Sequence, residues 1–271
     1  ESAALLQADG FGVLLTESGT DSIWESGLPL VGLVNPGDAT VNPADLIGLL
    51  ASKLGDAILA GHEVHSIEPA SADGSGSCVV RTAGAIVRAS RVLVCTNAYT
   101  GGLVPRLAGL VVPNRGQMLA LEADGARLDY AYYVNQGHEY IRQHIDGTIV
   151  VGGCRGQFAD SERSLDDRTT AQVQGAIEAF ARMVLDRPVR VVSRWAGTMG
   201  FSPDGMPLVG PVSDDASVWF CGGFTGHGMS LAYRTSAGAI AALLDGPGTD
   251  SLADAFSLAR VVSDDSPALL G

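Results

Sequence analysis

The chain is nearly devoid of lysine: Lys53 stands alone against 16 arginines. Chemistry that needs an amine side chain therefore has one candidate position. Positive charge is scarce altogether. With 30 acidic and 17 basic side chains the net charge is −13, which excludes the basic face that nucleic-acid backbones require. No apolar run reaches the roughly 18 residues of a membrane-spanning helix. Cys-x-x-Cys is absent, and no histidine stands at metal-ligand spacing. His138, Glu139 and His144 crowd one segment, but strand alternation separates them, so no metal is expected. Gly-x-Ser-x-Gly, the nucleophile elbow, is missing too. Four scattered cysteines (Cys78, Cys95, Cys154, Cys221) are read as reduced thiols rather than as a disulfide framework or zinc site. Cys95 and Cys221 are read as small core hydrophobes inside apolar strands. Reduced thiols imply a reducing, cytoplasmic setting.

What is present is a globular composition: 271 residues, 46% hydrophobic and 17% charged. That is enough for one large domain or two small ones with a real core, and too aliphatic for disorder. The chain opens at Glu1 with no initiator methionine and no signal-like stretch, which fits a processed subunit or a proteolytic remnant. Residues 1–34 read as an irregular region punctuated by Gly19, Gly27 and Pro29, with a short strand at 31–34. Asn42 as cap, Pro43 at the first helical position and Asp45 near the positive dipole end open an amphipathic helix over 43–54.

Strands follow at 62–67, at 78–82 and 85–89 as a hairpin, and at 91–95 as a run buried on both faces. Residues 113–122, 131–142 and 147–153 have polar residues interleaved, with a two-residue hairpin signal at Asp146-Gly147. A helix over 167–186, strands at 189–195, 208–209 and 218–221, and a helix over 228–244 complete the pattern. Parallel-type elements at 43–98 and 207–244 thus flank an antiparallel sheet. The expected fold is mixed α/β, with two interleaved domains built from discontinuous pieces. Residues 35–111 and 197–250 form one, residues 1–34 and 112–196 the other, and 251–271 a tail.

Three segments are candidates for chemistry. Cys221-Gly222-Gly223-Phe224-Thr225-Gly226-His227-Gly228-Met229 lies between a buried strand and a helix. Its glycines let backbone approach a ligand closely, and the first amides of the helix point outward with partial positive charge. That suits an anionic or carbonyl-rich ligand; the alternative is a tight turn with no ligand. The second, Gly197 to Gly210, contains the turn signal Pro203-Asp204-Gly205. The third, Cys95-Thr96-Asn97-Ala98-Tyr99, leaves the carboxyl end of a buried strand, where open parallel sheets bind ligands. His227 is the one candidate catalytic residue, as a general base or as a pocket wall. Tyr140 and Arg142 share a strand face by period-two spacing, suited to holding a carboxylate or to plain solvation.

Together these motifs resemble the D-amino-acid-oxidase-like FAD oxidoreductases, notably the glycine and sarcosine oxidase branch and the gamma-glutamylputrescine-oxidase-like proteins. Phe201 to Gly210 is similar to the family's T/S-P-D-G-x-P-x-I/V-G segment, and Gly222 to Met229 to its G-F/Y-S/T-G-H-G loop. Gly84 to Ala98 is similar to its G-x-I-x-A…V-V-x-A-T-G/N-A hairpin and strand, and Arg115-Gly116-Gln117 to its R-G-Q entry to the substrate sheet. The resemblance implies an incomplete FAD-binding Rossmann-like domain interleaved with an antiparallel-sheet substrate domain. It implies that Gly197, Asp204, Gly205 and the amides from Gly223 through Phe224, Thr225, Gly226, His227, Gly228 and Met229 serve the flavin. Val64 would meet adenine, and Thr96 and Asn97 the diphosphate. Tyr133, Tyr140, Arg142 and Ser230 would face a small amine or amino-acid substrate, whose C–H next to nitrogen passes hydride to flavin N5.

The departures are informative. The family's opening strand and Gly-x-Gly-x-x-Gly unit is missing, so the chain reads as the C-terminal part of a longer protein, poor at binding FAD and inactive by itself. Ser230 replaces the lysine that sarcosine oxidases place after the His-Gly loop. Lys53, on a predicted outer helix, is no substitute for their oxygen-activating lysine, so slow reaction with oxygen is expected. The Arg194–Thr198 stretch holds no cysteine to tether flavin, so FAD is expected to be non-covalent. The alternative is a non-catalytic subunit, or one completed by a partner chain.

Overall fold

The computed structural model describes residues 2–17, 31–70, 76–246 and 248–262. Gly19, Gly27 and Pro29, and the end of the expected tail, lie outside the described residues. In chain order the elements are α1 (Ser2–Ala8), β1 (Leu14–Glu17), β2 (Val31–Val34), α2 (Pro43–Leu54), β3 (Val64–Glu68), β4 (Cys78–Thr82), β5 (Ile86–Ala89), β6 (Val92–Val94), β7 (Val112–Glu122), β8 (Tyr132–Val134), β9 (Glu139–Gln143) and β10 (Ile149–Gly153). There follow α3 (Ala159–Glu162), α4 (Ala171–Leu185), β11 (Arg190–Phe201), β12 (Leu208–Pro211), β13 (Val218–Gly222), α5 (Gly228–Asp245) and α6 (Ser251–Ala255). No helix among the described residues is long and apolar enough to cross a membrane.

Two compact units divide the chain: residues 1–46, 116–162 and 167–197 in one, and 47–115, 163–166 and 198–271 in the other. The first is organised by a five-stranded sheet of order β11-β7-β10-β9-β8. Alternation along β7, β9 and β10 sends Leu119, Leu121, Ile141, Ile149 and Val151 to one face, where they pack on Val173, Ile177, Ala181 and Val184 of α4. Burying such a side chain contributes about 1.5–3 kcal/mol, so this interface anchors the sheet. Gln117 continues the same face and is fully buried. Its Oε1 accepts from Thr170 N at 2.9 Å, and its Nε2 donates to Thr170 Oγ1 and Glu162 Oε2, each at 2.9 Å. A sheet side chain thereby satisfies the residue that caps α4, where Thr170 makes no side-chain cap of its own.

The second unit has a three-stranded sheet of order β12-β13-β6, with β13 and β6 parallel, and a three-stranded antiparallel sheet of order β3-β4-β5. Val94, Phe220, Leu208 and Val104 fill one core. Trp219 and Cys221 fill another, beneath Ala239 and Ala242 of α5. α5 also meets the start of α6 closely: a Cβ at Gly238 would sit 2.8 Å from Oδ1 of Asp250, the residue that caps α6.

Several expectations are corrected. β3, β4 and β5 pair antiparallel, so the parallel character of residues 43–98 is confined to β6. β6 is the edge strand of its sheet, with Val94 buried but Val92 and Leu93 only half-buried. Cys95 is exposed, because the chain leaves the sheet there, whereas Cys221 is buried. The Asp146-Gly147 hairpin has a three-residue loop: His144 N donates to Thr148 O at 2.7 Å and Gly147 takes φ 91°, the turn-plus-left-handed-glycine solution. The 1–34 region contains a helix, α1, and a two-stranded pairing of β1 with β2. Residues 251–262 fold back, with Ala253, Phe256 and Leu258 buried and Val209 N donating to Phe256 O at 2.8 Å. α2 forms as expected, with Asn42 Oδ1 accepting from Ala44 N at 3.1 Å, but buries none of its residues.

Candidate functional site

The site is built where β6 and β13 end side by side. Asn97 follows β6 and adopts a left-handed φ of 45°, which asparagine tolerates better than most residues. Its Oδ1 accepts from Gly223 N at 2.9 Å, tying the exit of one strand to the exit of its neighbour. The approach is close. A Cβ at Gly200 would lie 2.6 Å from the same Oδ1, and one at Gly222 would lie 3.3 Å from Asn97 Cα. These two glycines are required by packing.

The loop beyond them is held by Thr225, a β-branched residue at φ 51°. That conformation is costly for such a side chain, and hydrogen bonds on every side fix it. Thr225 N donates to Gly200 O at 2.9 Å, and Thr225 Oγ1 accepts from Ser202 N at 3.1 Å and donates to Gly223 O at 3.3 Å. His227 N donates to Phe224 O at 2.9 Å, and α5 starts at Gly228. Ser230 N and Leu231 N donate to His227 O at 3.2 and 3.1 Å, so in that first turn Gly228 N and Met229 N are the amides to which the helix offers no acceptor.

Gly226, His227, Met229 and Ser230 are exposed. The bend is therefore open rather than filled by side chains. A Cβ at Gly228 would make only ordinary contact, 3.7 Å from Phe224 Cβ. Nothing in the surrounding packing demands glycine there, and its bareness leaves backbone accessible. Open amides at a helix N-terminus, with partial positive charge and no carboxylate in the first turn, suit a carbonyl-rich ring that gains negative charge.

The remaining predicted residues fall in distinct places. Thr96 Oγ1 pairs with Thr100 Oγ1 at 2.9 Å. Asp204 accepts from Met206 N at 3.1 Å and lies 2.7 Å from Arg260, which pulls its carboxyl down to about 2. Gly205, at φ 80°, completes that turn. Val64 lies on β3 opposite Thr82. Gly197 is an exposed position of β11, grouped with the first unit.

Tyr133, Tyr140 and Arg142 form their own cluster in that first unit, on the sheet face opposite α4. Tyr133 and Tyr140 are cross-strand partners, stacked with centroids 5.9 Å apart and 29° between planes. A Cβ at Gly152, on the adjacent strand, would run into the Tyr140 ring and Met118 Sδ. Burial pushes the Tyr140 phenol pKa up. Arg142 Nη1 donates to Val41 O at 2.9 Å, leaving its other nitrogens for a ligand or for water. No group of three or more potential metal ligands occurs among the described residues. Ser202 and Arg260 were not anticipated as site residues. Ser202 belongs to a motif legible in the sequence, whereas Arg260, 56 residues from Asp204, gives no local signal.

Comparison with known proteins bears on the family and the fold. A glycine oxidase of Pseudomonas aeruginosa is 30% identical over 197 residues, covering 70% of this chain and 52% of that protein. The gamma-glutamylputrescine oxidoreductase of Escherichia coli K12 is 27% identical over 211 residues, covering 74% and 46%. The chain thus spans about half the length of the curated relatives it matches. Among solved structures, glycine oxidase from Geobacillus kaustophilus superposes with a TM-score of 0.79 at 20% identity, covering 96% of this chain and 70% of that one. The mixed α/β fold with antiparallel sheets is therefore the glycine oxidase fold. Residues 1–243 match the model of the FAD dependent oxidoreductase (DAO) family, and the chain belongs to that family.

Proposed function

We propose that the chain is the C-terminal part of an enzyme that oxidises the C–N bond of an amine or amino acid with non-covalent FAD. FAD bound here supplies the acceptor for a hydride leaving the carbon next to the amine nitrogen. The open amides at the start of α5 carry the reading: they are bare and oriented by strained backbone, as a ring that becomes anionic on reduction requires. Helix-terminus electrostatics of about 0.3–2 kcal/mol tune such a ring without binding it alone. Gly223, Thr225 and His227 engage their amides within the fold, so the backbone of Gly226, Gly228 and Met229, together with Asn97, Thr96, Val64, Asp204 and Gly205 of the same unit, would hold the cofactor.

On the substrate side, Tyr133 and Tyr140 offer flat apolar surface, Arg142 a guanidinium and Ser230 a hydroxyl. Within the first unit the two tyrosines and the arginine would orient an amine carboxylate and exclude water from it, and in the second unit the Ser230 hydroxyl already donates to His227 O at 2.9 Å. His227, exposed beside the loop, would take a proton from a substrate ammonium or simply wall the site. The free amine is the reactive form, so alignment and desolvation supply most of the rate. The apolar face of α2, with Ile47, Leu49, Leu50 and Leu54 exposed, supports completion by further polypeptide, in the same chain or in a partner.

The test is anaerobic mixing of the flavin-loaded longer protein with glycine, sarcosine, proline and a set of polyamine derivatives. At least one is expected to bleach the visible flavin absorbance, with slow recovery on admitting oxygen. Absence of bleaching by every amine tried, with a carbohydrate or hydroxy acid bleaching instead, overturns the substrate class. Recovery at an oxidase-like rate overturns the expected sluggishness toward oxygen.

A further inference from the structure

The segment after α6 places Arg260 against the Pro-Asp-Gly turn with all three guanidinium nitrogens engaged. Nε donates to Asp204 Oδ2 at 2.7 Å, and Nη2 donates to Asp204 Oδ1 and to Met206 O, each at 3.0 Å. Nη1 donates to Ser257 O at 3.0 Å, anchoring the guanidinium to its own segment. That segment is itself fixed, because Leu258 is buried and a Cβ at Gly210 would come within 3.0 Å of Leu258 Cβ.

From Asp204 the hydrogen bonds continue inward. Ser202 Oγ donates to Asp204 Oδ1 at 3.4 Å and lies 3.2 Å from Thr225 Oγ1, while Ser202 N reaches the same Thr225 oxygen at 3.1 Å. Thr225 in turn bonds Gly223 O. A continuous path therefore joins an arginine near the end of the fold to the strained residue that shapes the Gly222–Met229 loop.

We propose that Arg260 is a positioning residue for that loop. It fixes Asp204, Asp204 orients the Ser202 hydroxyl, and Ser202 holds Thr225 in its left-handed conformation. The arrangement suits arginine and no other cation, since a lysine would supply neither the fork onto the carboxylate nor the simultaneous bonds to Met206 O and Ser257 O. Order in the C-terminal segment is thereby passed to the amides that open α5. The proposal rests on the flavin reading only in the use to which those amides are put.

Hydrogen exchange of the chain without cofactor tests it, read at Gly223 N, Thr225 N and His227 N. R260A is expected to speed exchange at these amides by on the order of tenfold, as loss of a charge-assisted bond would. R260K is expected to recover only part of the protection. S202A, which cuts the path at its middle, is expected to match R260A, and the double variant to add little, because both remove one coupled path. Unchanged exchange at the three amides in R260A, with faster exchange only at residues 251–262, overturns the proposal. Additive effects of R260A and S202A also overturn it. Failure of the longer protein to bind FAD would sink the flavin reading and leave this result standing.

Discussion

Asp204 shows what one residue contributes here. Arg260 holds its carboxyl at about 2, below the ordinary value of about 3.9. A carboxylate whose pKa is depressed on folding stabilises the fold fully above its unfolded value. That stabilisation is lost as pH falls through the folded value. The difference in unfolding midpoint between the native chain and R260A should therefore be constant near neutrality and shrink between pH about 4 and about 2. Its size should be modest, at most about 1 kcal/mol, because the pair is partly exposed to solvent. Urea titrations at stepped pH measure it, and a difference that persists undiminished at pH about 2 would assign the effect to packing of the arginine stem.

At the scale of elements, the loop before α5 separates glycines that the fold needs from one that it does not. Gly226 sits at φ 88° and Gly222 is crowded by Phe220 and Asn97, whereas Gly228 has ordinary space around it. Gly226→Ala should therefore destabilise the chain by about 1 kcal/mol. Gly228→Ala should leave the unfolding midpoint unchanged or slightly raised, yet weaken FAD binding by the longer protein about tenfold, close to 1.4 kcal/mol. Thermal melts and flavin titration of the two variants check this; equal loss of stability would mean that both glycines serve the turn alone. These elements were legible in the sequence because their signals are local: Gly-rich turn, flanking apolar strand, helical periodicity after it. The exits of β6 and β13 were legible as two separate candidate segments, whereas the bond that joins Asn97 to Gly223 was not. The antiparallel pairing of β3 with β4 and the reach of Arg260 were not. Both depend on which segments meet across the chain, and no residue pattern within either segment encodes that. Cys95 misled for a related reason, since an apolar run gives no sign of the residue at which it leaves the sheet.

At the scale of the whole molecule, the exposed apolar stripe of α2 and the edge position of β6 set an expectation for cofactor binding. Edge strands with apolar faces and no charge or proline to blunt them invite pairing, and β6 carries only Val92, Leu93 and Val94. Completion of that sheet would add backbone beside the carboxyl ends of β6 and β13, which the Asn97–Gly223 bond ties together. If further polypeptide completes the cofactor domain as proposed, the 271-residue chain by itself offers the loop amides but only part of a surface for a dinucleotide. Mixed with FAD, it should retain little or no flavin through gel filtration. A version extended with a strand and a Gly-x-Gly-x-x-Gly turn, in one polypeptide or co-expressed as a separate one, should retain one flavin per chain and show a higher unfolding midpoint in its presence. Stoichiometric flavin on the 271-residue chain alone would show instead that the loop and the strand exits suffice, and that α2 is exposed for another purpose.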